Sequence, residues 1–146
     1  MPSREEIEAT VREFNDRAIT GHDMAYIDSV LSEDFVEHNP MPGLGNDKKG
    51  ALRTFESMFQ ITPDMKGEII DLVIGGNRAA IRGRYSGTDS GTGPMPGVPA
   101  TGKPWSVEGI DVVAVGEDGR FTEHYGIIDL AGIMTQLGLM PGAPQQ

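Results

Sequence analysis

No cysteine occurs in the 146 residues of the chain, which excludes a disulfide, a thiolate zinc site and a cysteine nucleophile, and suits a reducing cytoplasm. Long apolar runs are also missing. No stretch approaches the roughly 20 apolar residues of a membrane-spanning helix, and the opening MPSREEIEATVREF is charged and lacks the apolar core of a secretion signal. The expectation is a soluble cytoplasmic protein that makes no membrane contact. Positive charge is scarce, with 12 Lys and Arg against 22 Asp and Glu and a formal net charge of −10. Binding to a phosphate backbone draws on clustered basic residues, so nucleic acid is a poor partner. Histidine stands only at 22, 38 and 124. No two of these have the i, i+4 spacing that sets two imidazoles on one helical face around zinc, so no metal site is expected. The segment GVPATGK, residues 97–103, has the spacing of a phosphate-binding loop, but Pro104 and a strand pattern follow it where that loop needs a hydroxyl and a helix.

The residues that are present read as one α+β domain spanning 1–146, with 38% hydrophobic and 23% charged residues. Ser3 and Glu6 form a capping-box pair, and Ile7, Val11, Phe14 and Ala18 follow at helical spacing, which predicts a helix to about Thr20 that stops at Gly21. Asp23 caps a second helix with Met24, Ile27, Val30 and Leu31 on one stripe. DFVEHNP is then a short extended piece ending at Pro40, and MPGLGN a loop. Asn46 or Asp47 opens a third helix, carrying Ala51, Leu52, Phe55, Met58 and Phe59, that ends before Pro63. Beyond it the period changes to two. Strand patterns at 68–74 and 78–86 flank Gly75, Gly76 and Asn77, and a second pair at 105–115 and 120–129 flanks GEDG. At least four antiparallel strands therefore follow three helices, and a short helix closes the chain. Between the two hairpins lies GTDSGTGPMPGVPATGKP, whose five glycines and four prolines bar regular structure and whose length suits a lid or binding loop. The tail MPGAPQQ has nothing to bury and is expected to be loose.

Candidate chemistry gathers around Gly119–Gly138, GRFTEHYGIIDLAGIMTQLG, a strand that becomes a helix at Asp129. Counting by two puts Asp129 on the face of Ile127, Tyr125 and Glu123, with His124 on the other. Such an acid is a candidate general base; it is equally a candidate N-cap for the last helix. On the preceding strand Trp105, Val107, Gly109, Asp111 and Val113 share a face, and pairing across GEDG would let Asp111 and Asp129 line one pocket and separate in pKa. The plainer reading has Asp111 bonded to a helix terminus or facing solvent. His38 either donates to a substrate oxygen or is a structural histidine. Arg82 and Arg84 lie opposite Ala79, Ile81, Gly83 and Tyr85, on the face expected to meet water or a partner. Gly83, in mid-strand, either leaves room for a ligand or marks a bulge.

Three segments, FVEHNP, YSGTDSGTGPMPGVPATGKPWSVEGIDVV and DGRFTEHYGIIDLAGIMTQLG, together resemble the SnoaL-like polyketide cyclases, also called ester cyclases, in the right order and over nearly the whole chain. The resemblance implies a cone-shaped α+β barrel, in which a curved antiparallel sheet holds about three N-terminal helices in its mouth over a ligand cavity, with a short C-terminal helix. It further implies intramolecular aldol ring closure without metal or cofactor, with the acid/base aspartate at the position of Asp129; the family usually has Trp where Tyr125 stands here. The candidate catalytic residues are thus Asp129 and Asp111. The candidate substrate contacts are His38, Asn39, Tyr125, Trp105, Arg82, Met58 and Met95, with Met41 as a further wall. The expected ligand is a hydrophobic, carbonyl-rich, polycyclic small molecule, and the expected assembly a homodimer or homotetramer. The runner-up is an epoxide hydrolase similar to limonene epoxide hydrolase, with two aspartates bridged by an arginine two residues before the first. Gly109 occupies that place here, so the bridge needs Arg82 or Arg84 to reach in. The third reading is a non-catalytic protein that binds a hydrophobic small molecule.

Overall fold

The computed structural model describes residues 1–140; the expectation of a loose tail falls mostly on residues outside this range. Four helices, α1 (Arg4–Phe14), α2 (Met24–Val30), α3 (Lys48–Ile61) and α4 (Leu130–Gln136), combine with five strands, β1 (Leu31–Glu37), β2 (Lys66–Gly75), β3 (Arg78–Thr88), β4 (Pro104–Val115) and β5 (Phe121–Ile128). Each helix begins on a side-chain oxygen that takes up an otherwise orphaned amide. Ser3 accepts from Glu6 N, Asp23 from Tyr26 N, Asp47 from Gly50 N and Asp129 from Gly132 N, at 2.8–3.1 Å. The first helix does run on to Gly21, but Asn15–Thr20 form a wider π-helical turn, where Asn15 Nδ2 donates to Gly67 O of β2 at 3.1 Å.

The strands make one mixed sheet in the order β1-β5-β4-β3-β2, open rather than closed. The four later strands pair antiparallel, as their hairpin spacing predicts. The extended piece before Pro40 turns out to be the edge strand β1, parallel to β5 with Val36 opposite Glu123 and Glu37 opposite His124. A pairing across some 87 residues leaves no local mark in a sequence, because no turn chemistry announces it.

Helices cover one face of the sheet, where Ala79 and Ile81 of β3, Val113 of β4 and Phe121 of β5 are buried together with Ile7 and Val11 of α1 and Ile27 of α2. Phe14 joins the layers, its ring packed edge-on to Phe121 at 5.2 Å and to Phe55 of α3 at 5.8 Å. A second apolar cluster of Met65, Trp105, Val107 and Leu137 lies under α4. The opposite, outer face leaves Val73, Ile110 and Ile127 largely exposed. Among the described residues no helix is long and apolar enough to cross a membrane.

Candidate active site

The register decides which side chains can meet. Asp111 lies opposite Ile81 on one side and Gly126 on the other, and Val113 opposite His124. Directly paired residues share a face of the sheet, so Asp111 and His124 both point inward, toward the helices. Tyr125, one residue on, points outward. The alternation at 123–129 is as the sequence predicts, but it is His124, not Tyr125, that faces the interior with Asp111.

His124 sits between two carboxylates. Its Nε2 is 2.7 Å from Asp111 Oδ1 and its Nδ1 is 2.6 Å from Glu37 Oε1. The hydroxyl of Tyr85 donates to the other oxygen of Asp111. Glu37, Asp111 and His124 keep 15%, 22% and 28% of their side-chain surface, so the cluster is partly screened from water. Burial alone would lower the pKa of His124, but the hydrogen bonds and charges of Asp111 and Glu37 outweigh it and push the imidazole up to about 9. At neutral pH the ring is therefore a cation that donates to both neighbours. The Tyr85 phenol is driven well above its ordinary range, by burial first and then by the charge of Asp111, so it stays a donor. Gly126 makes the cluster fit, since a Cβ there would stand 2.6 Å from His124 Cε1 and 2.8 Å from Asp111 Oδ1.

The end of β1 closes over this cluster residue by residue. Glu37 reaches His124, and His38 on the outer side stacks on Tyr125 at 4.0 Å and approaches Glu123 Oε1 at 3.2 Å. Asn39 Oδ1 accepts from Gly126 N at 3.0 Å. Glu123 is held in turn by Arg78 at 2.8 Å.

Asp129 is elsewhere. Its carboxylate caps α4, and the exposed residue lines a shallow groove on the outer face with Arg82, Glu108, Ile110 and Ile127. Asp111 and Asp129 thus do not share a pocket, because Asp111 pairs with Gly126 and takes the inner face of 124, 126 and 128, whereas Asp129 follows the outward alternation of Tyr125 and Ile127. Arg82 is engaged on that outer face by Asp71 at 2.7 Å and Glu108 at 2.5 Å, and Arg84 by Ser106 and Glu108. Neither arginine bridges the two aspartates. Trp105 is buried core rather than pocket wall, Met58 packs at the edge of the same cluster, and Met95 and Met41 are exposed. The long loop does not hang free: Gly91 N and Thr92 N bond the last carbonyls of α3, Ile61 O and Gln60 O.

Glu37 and Tyr85 were not singled out in the sequence. The signal for Glu37 lay in FVEHNP, whose acid precedes the histidine; the signal for Tyr85 was the run of inward glycines beside it.

The family model for SnoaL-like polyketide cyclases matches residues 9–137. The chain belongs to this family. TsrD from Streptomyces laurentii is similar in structure, with a TM-score of 0.81, 28% identity, and coverage of 96% of this chain and 100% of that one. IdmH from Streptomyces antibioticus, described as a candidate polyketide cyclase, gives a TM-score of 0.77 at 27% identity, covering 90% and 98%. AclR from Streptomyces galilaeus, described as a candidate hydroxylase, shares the fold with a TM-score of 0.80 at 22% identity, covering 98% and 87%. No curated protein matches the chain. Chains with differently described activities therefore share this fold, and the chemistry has to be argued from the side chains inside it.

Proposed function

We propose that this SnoaL-like protein closes a ring in a neutral, carbonyl-rich small molecule by intramolecular aldol chemistry, with Asp111 as the acid/base. The observation that carries the reading is the inward Asp111, bonded on one oxygen by His124 and on the other by Tyr85. A carboxylate has about four lone-pair sites, so it can still accept a proton with both oxygens engaged. Asp111 removes a proton α to a carbonyl, the enolate carbon attacks a second carbonyl of the same molecule, and the new alkoxide takes the proton back from Asp111. Carbon, proton and charge all balance within one substrate. The His124 cation offsets the negative charge as it moves from carboxylate to enolate to alkoxide, in a site where little water screens it. Glu37 holds that cation in place.

A second reading puts the base at Asp129, favoured by its position in a groove beside Ile110 and Ile127. The epoxide hydrolase reading lacks its arginine bridge. The test is ring closure of an anthraquinone that bears an ester-activated methylene on one side chain and a ketone on the neighbouring side chain, followed by NMR as conversion of the methylene to a methine. Asp111→Asn should abolish it and Asp129→Asn should not; the reverse pattern would move the base to Asp129.

A further inference from the structure

We infer that Tyr85 is a positioning residue for the proposed reaction: it clamps the second oxygen of Asp111, so that the carboxylate meets the substrate in one orientation. The inference rests on the reading of Asp111 as acid/base. Tyr85 lies opposite Val107, whereas Asp111 lies opposite Ile81, four residues back along β3. At about 3.3 Å per residue the two backbones are on the order of 13 Å apart, and the gap closes only if the phenol lies flat along the strand. The inward positions beneath it are Gly83 and its partner Gly109. A Cβ at Gly83 would stand 2.8 Å from the Tyr85 hydroxyl oxygen and 2.9 Å from Cζ, and one at Gly109 would stand 3.0 Å from Cε2. Neither glycine has a positive φ, so the backbone does not demand glycine at either place. The ring does. Glycine inside a strand weakens it, and two on facing strands, both under one aromatic ring, form a bed whose effect is to let that hydroxyl reach that carboxylate.

The groups facing Asp111 are Tyr85 from β3 and His124 from β5, with Glu37 of β1 behind the histidine. Losing the phenol leaves Asp111 with one donor in place of two. Its carboxylate is then free to turn about χ2, and the oxygen that meets the substrate is no longer fixed.

The experiment is Tyr85→Phe, read in two ways. In ¹³C NMR at neutral pH the Asp111 carboxyl resonance should move as the bond from the phenol is lost, a measurement that needs no substrate. With the anthraquinone probe kcat should fall about tenfold or more with KM nearly unchanged, as expected for loss of a bond to a charged group. Gly83→Ala keeps the phenol but lifts it from its bed and should move both readouts the same way; it decides the matter if Tyr85→Phe does not fold. An unchanged kcat, with at most a lower melting temperature, would make Tyr85 a mere tether and overturn the inference. If Asp111→Asn is fully active, the reading of the site has failed; if Asp111→Asn is dead and Tyr85→Phe is fully active, only this inference has.

Discussion

Glu37 and His124 are 87 positions apart in the chain and 2.6 Å apart in the fold. With Asp111 at the other ring nitrogen, 2.7 Å away, the imidazole faces an acceptor on each side, and only its doubly protonated form donates to both. The edge strand β1 therefore has a chemical consequence. Without its parallel pairing to β5, the histidine would have one carboxylate for a partner, and its charge would be easier to lose.

This arrangement sets a pH dependence. His124 titrates at about 9 in the fold against 6.5 for an ordinary histidine, so the protonated ring stabilises the folded state. The contribution is present in full below about pH 6.5 and is lost as the pH rises through about 9, and it amounts to at most about 3 kcal/mol. Thermal melts between pH 6 and 10 should show stability falling across that window, and His124→Asn should flatten the fall. Glu37→Gln should lower the His124 midpoint by about 1–2 units in an NMR titration. A midpoint still near 9 in that variant would show that Glu37 does not hold the charge.

At Asp111, replacement by Asn keeps the shape but cannot accept a proton near neutral pH. The rate of ring closure should fall by roughly 10²–10⁴-fold, the usual contribution of a positioned proton-transfer group. Far-ultraviolet circular dichroism should be unchanged, and a variant that loses its helical signal as well would have to be set aside in favour of Asp111→Glu.

Asp129 separates capping from chemistry. Asparagine caps a helix about as well as aspartate, so Asp129→Asn should leave both the fold and, with Asp111 as base, the turnover within about threefold. Asp129→Ala removes the bond to Gly132 N and should cost about 1 kcal/mol in chemical denaturation. A loss of activity in Asp129→Asn comparable to that at Asp111 would promote the outer groove to the reacting site.

The loop between β3 and β4 divides into a stem and a tip. Asp89 is fully buried, and its carboxylate accepts from Thr101 N and Thr101 Oγ1 at 2.8 and 2.9 Å. Asp89→Ala should therefore destabilise the protein by about 2–4 kcal/mol in urea unfolding. The tip around Met95 is exposed, and deleting residues 94–97 should shift the melting temperature by no more than about 2 °C. If the loop covers bound substrate, the same deletion raises KM or lowers kcat. Unaltered kinetics with a collapsed fold would make the tip structural.

What the sequence by itself determined was local. Ser3, Asp23, Asp47 and Asp129 could be read as caps because a cap bonds an amide within its own first turn. The hairpin at Gly75–Asn77 and the opposition of Arg82 to Tyr85 followed from turn chemistry and the pleat. The family resemblance was carried by whole segments in order. Tertiary structure decided the sign of the alternation. A period of two says that His124 and Tyr125 face opposite ways, but only the packing of α1 and α3 on one side makes the side bearing His124 the interior. It also decided that Asp111 and Asp129 part company, since the pairing of Asp111 with Gly126 rather than with a residue of odd number puts the two acids on opposite faces. Gly83 was visible as an anomaly and became explicable only when the Tyr85 ring was found lying over it. Glu37 was hidden for the same physical reason: its partner is 87 residues away, and a contact of that span is paid for by the assembled core rather than announced by any neighbour in the chain.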